Sequence, residues 1–257
     1  MRKINERLGE ENYNKYGTLM KIIEYIDTHN IVVEFQDEYK VRVHTEYRAF
    51  TRGGVNNPYD KTVCNIGYLG EGKYKYNQYS HIYTLWLGMI RRCYSEKFKE
   101  KRPTYKNCVT CKEWHCFQNF AEWYEKEMYN CNGEKLDLDK DILIKGNKIY
   151  SPETCMLVPQ RINYLFVKSD ATRGKYPIGV RLHKRDRIFE VHCSIIKDEE
   201  SKSVYLGRFP LNRPFQAFTI YKNFKENYIK QVADEYKDLI PKKLYEALYK
   251  YEVEIND

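Results

Sequence analysis

The chain has 257 residues, 42% of them hydrophobic, with 44 Lys and Arg against 36 Asp and Glu and a net charge of +8. That share is enough to build a core, and no window nears the roughly 18 uninterrupted apolar residues of a membrane span, so no membrane protein is expected. The polar start MRKINERLGEENYNKYG has no apolar signal core and the eight cysteines form no compact secreted frame, so reduced thiols in a cytoplasm are expected. The positive excess suits a polyanion, because each neutralised phosphate releases condensed counterions. It suits an ordinary basic soluble protein equally well.

In chain order, residues 17–55 alternate apolar and polar side chains: LMKIIEYI, IVVEF and YKVRVHTEY read as short strands, with turns near Thr28–Asn30 and Gln36–Glu38. Gly53-Gly54 and Asn57-Pro58 stop the pattern, which predicts a small SH3-like β-barrel over 1–63. Residues 64–78, containing GYLGEGKYKYN, read as an exposed linker. A helical region with apolar spacing follows over 79–168. There Leu85, Met89 and Cys93, flanked by Trp86 and Ile90, lie on one helix, and Trp114, Phe117, Phe120 and Trp123 form a second stripe; both read as core. The basic stretch YSEKFKEKRPTYKN between them is a solvated loop or a phosphate contact. Cys108, Cys111 and Cys116, even with His115 or Cys131, lack the two neat pairs of a four-ligand zinc site, so buried thiols are expected and zinc is not. A second linker is expected at 169–175, within the polar run KSDATRGK.

The segment 136–166 reads as strand, turn, strand, helix: Leu138–Ile144, then Lys145-Gly146-Asn147, then Tyr150–Leu157, then a helix from near Pro159. From residues alone, Asp137, Asp139 and Asp141 make an acidic strand edge beside Lys135 and Lys140. The C-terminal part, 176–257, begins with strands at Tyr176–Lys184, Ile188–Lys197 and Ser203–Phe209, followed by a helix over 213–236. Alternation puts Val180, Leu182, Val191, Cys193, Ile195, Val204 and Leu206 on one face, and Phe218, Tyr221, Phe224 and Tyr228 recur along the helix that covers it. The opposite face carries Arg181, His183, Arg185, Glu190, His192, Ser194, Tyr205 and Arg208. Such a face either stands in solvent or lies in a DNA major groove, where arginine reads guanine O6 and N7. The fold expected for the whole is a multidomain α+β chain.

Two resemblances sharpen this reading. Gly179-Val180-Arg181, Phe189-Glu190-Val191, Tyr205-Leu206-Gly207-Arg208-Phe209, Ala217 and Tyr221 look like the AP2 DNA-binding domain, a three-stranded antiparallel sheet with one helix that binds DNA through the sheet. Where that family has an aromatic in the first hairpin, Arg185-Asp186-Arg187 stands here. LDLDKDILIKGNKIYSPETCMLVPQRINYLF resembles the ββα-metal unit of phage-type HNH homing endonucleases. That resemblance implies Asp139 and Asn163 as ligands of Mg²⁺ or Mn²⁺, Asn147 as the middle asparagine, and Cys155 in place of a structural asparagine. The general-base histidine is replaced by Lys140, whose reference pKa of about 10.4 lets it act as a base only if desolvated or crowded by cations; otherwise it steadies phosphate charge while Asp141 or another group activates water. The resemblances together imply a DNA endonuclease acting on double-stranded DNA. The missing histidine favours the alternative, a non-cutting DNA-binding protein such as a phage regulator or a counter-defence factor acting on a host protein.

Overall fold

The computed structural model describes residues 7–167, 176–197 and 200–255; the expected linker at 169–175 lies outside them. The chain is α+β, with four small sheets among the described residues, none of them closed. It divides into two compact units, Met1–Lys126 with Lys148–Ser151, and Glu127–Asn147 with Pro152–Asp257. No helix among the described residues is long and apolar enough to cross a membrane.

In the first unit, β1 (Glu11–Tyr13), β2 (Leu19–Asp27), β3 (Asn30–Phe35) and β4 (Arg42–Thr45) form an antiparallel meander in chain order. Met20, Ile22, Ile31, Val33 and Phe35 turn inward onto Val41, Val55 and Phe50, the last on the short helix α1 (Tyr47–Thr51). The barrel expected over 1–63 is therefore an open sheet. Its first strand has only three residues, too few to show an alternation in sequence. Within residues 67–77, expected to be exposed, Glu71–Lys73 and Lys75–Asn77 are exposed, while Gly67 and Tyr74 are buried. Tyr68 bridges Cys116, Gln118 Nε2 donates to the Tyr74 carbonyl at 2.9 Å, and Tyr74 is buried. Glycine is what permits this approach at Gly67, where a Cβ would stand 2.9 Å from the Trp86 ring.

The helices are α2 (Ser80–Tyr94), α3 (Glu96–Lys101) and α4 (Phe117–Glu127). Trp86, Met89, Ile90 and Cys93 face inward, and the Trp86 indole N–H donates to the Trp114 carbonyl at 2.8 Å. Trp114 lies on a 3-10 turn just before α4 and packs on Trp123 and Phe120 at 4.7 and 5.2 Å between centroids. The aromatic stripe is core. β5 (Val109–Thr110) pairs in parallel with β7 (Ile149–Tyr150).

In the second unit, β6 (Leu136–Asp139) pairs antiparallel with β8 (Met156–Pro159), and α5 (Gln160–Tyr164) follows directly. The first strand thus ends at Asp139 rather than Ile144, and the expected strand Tyr150–Leu157 is split between β7 and β8. The physical reason for the early end is local: Asp139 Oδ1 accepts the backbone N–H groups of Asp141 and Ile142, both at 2.7 Å, which turns the chain out of the strand.

β9 (Val180–His183), β10 (Ile188–Lys197) and β11 (Glu200–Pro210) form an antiparallel sheet in the order β11-β10-β9, followed by α6 (Pro214–Glu235) and α7 (Lys242–Lys250). Val180, Phe189, Val191 and Cys193 bury against Ala217 and Tyr221 of α6 and against Val253. A bulge interrupts β10–β11: Val191 faces Gly207 while His192 faces Tyr205, so Leu206 is the extra residue. The bulge is why Tyr205 and Arg208, three apart, share the outer face, and why Phe209 joins Phe189 inside.

Gly179, at φ +77, starts this sheet; a Cβ there would fall 2.0 Å from the Tyr221 ring. Left-handed backbone and overpacking together predict that Gly179→Ala lowers stability by about 2–4 kcal/mol, to be read as an earlier urea midpoint.

Candidate functional site

The outer face of β9–β11 is built by register. Arg181 stands opposite Glu190, and Glu190 opposite Arg208, so three charged side chains form one row across three strands. The next row is His192 with Tyr205, rings 5.4 Å apart, and beyond it Ser194 with Ser203. His183 lies at the other end, opposite Ile188.

Carboxylates occupy part of this face. Arg208 donates from Nε and Nη2 to Glu190 Oε1 at 3.1 and 3.0 Å, and its Nη1 lies 3.9 Å from Asp186 Oδ2. His192 Nε2 lies 3.7 Å from Glu190 Oε2, and His183 Nδ1 lies 3.4 Å from Asp186 Oδ2. Arg185 sits in the turn between β9 and β10 rather than on the strand face, and its side chain is 93% exposed. Arg181 is exposed and has neither ion pair nor hydrogen bond among the described residues. Arg181, on the edge strand β9, therefore stands without a carboxylate partner among the described residues, while Arg185 in the turn lies 4.0 Å from Asp186 Oδ1.

The candidates of 136–166 fall into two places. Asp139, Lys140 and Asp141 are consecutive residues of one tight turn. Lys140 is buried, and its ammonium donates to Asp141 Oδ2 and to the Asn147 carbonyl, both at 2.6 Å. Asn147 Nδ2 returns a bond to the Lys140 carbonyl at 3.0 Å, which closes the loop on itself. Lys140 thus ties the loop together by joining a carboxylate to a carbonyl across it. Asn163 lies on α5, beside β6. Its amide donates to Asp137 Oδ2 at 3.2 Å. Asp137 is the residue that sequence reasoning left out of the site; its signal was the two-residue spacing that puts it on the same strand face as Asp139.

Asp139 Oδ1 is committed to two N–H groups, while its other oxygen has no hydrogen bond among the described residues. Burial raises the Asp139 carboxyl above its ordinary value, against the lowering effect of those two hydrogen bonds. The free oxygen of Asp139 and the amide oxygen of Asn163 are hard donors, the type that suits Mg²⁺ or Mn²⁺ rather than zinc. All eight cysteines are free thiols, and no group of three or more His, Cys, Asp or Glu residues able to hold a metal ion occurs among the described residues.

The rest of the second unit holds this segment in place. Glu134 accepts the Arg161 backbone N–H at 2.9 Å and the Tyr236 hydroxyl at 2.6 Å, and Arg161 Nη2 pairs with Glu235 at 2.6 Å. Lys145 Nζ donates to the Glu252 carbonyl at 2.8 Å, and Phe166 packs on Tyr251. No family model, curated protein or solved structure matches the chain.

The half-buried Asp139 carboxyl gives a pH test. A folded-state pKa above the unfolded value, about 3.9, means that the folded chain holds the proton longer, so stability falls as pH rises from the unfolded to the folded value. Asp139→Asn keeps the acceptor oxygen and removes this loss. Its melting temperature should gain on the wild type as pH is raised through that window, whereas Asp139→Ala, which orphans two N–H groups, should be destabilised by about 1–3 kcal/mol throughout.

Proposed function

We propose that the second unit binds double-stranded DNA, with the outer face of β9–β11 laid in the major groove in the manner of an AP2-like module. The observation that carries this reading is Arg181: exposed, unpaired among the described residues, and on the edge strand of the face that the core leaves outside. A guanidinium at that position can meet guanine O6 and N7 with two parallel hydrogen bonds. Arg185 at the rim reaches for backbone phosphate, and His192, Ser194 and Tyr205 add hydrogen-bonding groups along the same face. Glu190 and Asp186 hold Arg208 and His183 in place and keep the face from being uniformly cationic.

On this reading the HNH-like segment is a scaffold, because its buried Lys140 closes a loop where the resembled family places a base. Metal-dependent hydrolysis is the second reading, favoured by the uncommitted oxygen of Asp139. Asp139 and Asn163 would then hold Mg²⁺ or Mn²⁺, which would supply stabilisation of the charge that develops on the leaving oxygen. Asp137 would orient Asn163 through the bond already described, and Asp141, half-exposed beside Lys140, is the remaining carboxylate within the turn.

Arg181→Ala is expected to weaken duplex binding by about 1–3 kcal/mol in a mobility-shift titration at fixed salt; unchanged affinity would remove the major-groove assignment. Arg208→Ala should weaken it less, since Glu190 already competes for that guanidinium. Duplex binding should survive EDTA, and supercoiled plasmid should stay intact with Mg²⁺ or Mn²⁺. Metal-dependent nicking that Asp139→Ala abolishes would establish the second reading instead.

A further inference from the structure

The short first strand of the C-terminal sheet leaves part of its neighbour's edge uncovered. β9 pairs only with Ile188–Val191 of β10, and β10 continues to Lys197. Beside that stretch lies a cleft of about 850 Å³, wholly within the second unit. Phe166, Tyr221 and Tyr251 give it aromatic walls, Ser194 a hydroxyl, and Arg181 and Lys225 its positive charge.

Lys225 is the unusual member. It projects from α6 with neither ion pair nor side-chain hydrogen bond among the described residues; the Tyr228 ring lies 6.0 Å away, and the buried Cys193 thiol is a neighbour. Burial lowers its ammonium pKa below the ordinary lysine value, the mark of a cation short of compensation. A half-buried charge without a partner is costly, and an anion in the cleft would relieve it. Arg181, unpaired as well, reaches the same cleft from β9. Two uncompensated cations from separate elements thus face one space, which is larger than a bare phosphate requires and within the range of small-molecule sites.

The edge itself is closed to an added strand. The Tyr228 hydroxyl accepts the Ile196 N–H and donates to the Ile196 carbonyl, both at 2.8 Å, and so takes the groups that a pairing strand would need. That argues for a compact ligand over an extended peptide. We propose that the cleft binds a nucleotide, its phosphate between Arg181 and Lys225 and its base against the aromatic wall. Base–aromatic contact tolerates any base, since every base has a π-face. The nucleotide is either free or an unpaired one at a DNA end, and the site stands whether or not the sheet binds duplex.

Calorimetric titration of the full chain with thymidine 5′-monophosphate should be saturable, and roughly tenfold or more tighter than with thymidine or inorganic phosphate alone. Lys225→Gln should lose that binding without a fall in melting temperature, because it removes an uncompensated charge; Lys225→Arg should retain it. Arg181→Gln, a change at an exposed side chain, should lose it as well. If the monophosphate fails but a duplex with a single 5′-phosphorylated overhanging nucleotide outcompetes its blunt counterpart, and Lys225→Gln removes that preference, the source is a DNA end and the cleft assignment stands. Neither ligand binding, or binding untouched by Lys225→Gln, overturns it. Blunt-duplex affinity should be equal in wild type and Lys225→Gln, which separates failure of this site from failure of the sheet's proposed role.

Discussion

The packing of one sheet face on one helix governs the second unit. Val180, Phe189, Val191 and Cys193 sit under Ala217 and Tyr221, and burying side chains of this size contributes about 1.5–3 kcal/mol for each large one. Inverting the sheet would bury Arg181, Glu190 and Arg208 in that core and strand the apolar set in water. The strand period of two then leaves no freedom: once the apolar set is inside, the charged row is outside. The approach is close enough that the strand's first residue must be Gly179, whose missing side chain is the space taken by Tyr221. What the face can do is therefore a consequence of what its reverse side buries.

Charge on that face is distributed unevenly by its own carboxylates. Glu190 lies between Arg181 and Arg208 in the cross-strand row, yet its hydrogen bonds go to Arg208. Asp186, in the adjoining turn, lies near His183 and Arg208. Ion pairs in solvent are weak and exchangeable, so these contacts orient side chains more than they stabilise the fold. Arg181 has no such partner among the described residues, and it lies both on the outer face and along the cleft at the uncovered edge of β10. That edge exists only because β9 stops after four residues.

In the segment 136–166 the candidate side chains also hold the local fold together. Asp139 ends a strand by accepting two backbone N–H groups, and Lys140 joins a carboxylate to a carbonyl across the loop. The cost of burying that ammonium is offset because both of its contacts are short and one is charged. Glu134, Arg161 and Lys145 then fasten the segment to α6 and the C-terminal stretch.

Much of this was legible in the sequence wherever a local period dictates the structure. β10 spans Ile188–Lys197, the same bounds that alternation predicts, and the helix read over 213–236 runs from Pro214 to Glu235. The stripes at Trp86–Ile90 and Phe117–Trp123 are core because aromatic groups at helical spacing must bury somewhere. The polar face of the C-terminal sheet was legible for the same reason. Tertiary structure alone decided what depends on partners distant in sequence. It paired Ile149–Tyr150 with Val109–Thr110, and it gave Asn163 to Asp137 rather than Asp139. It buried Tyr74 in a stretch whose glycines and lysines read as linker, and it brought Arg181 and Lys225 to one cleft. Periodicity encodes which side of an element is apolar, but not which element lies opposite; that choice is made by packing, where shape and unsatisfied polar groups select among partners that a local pattern leaves equivalent.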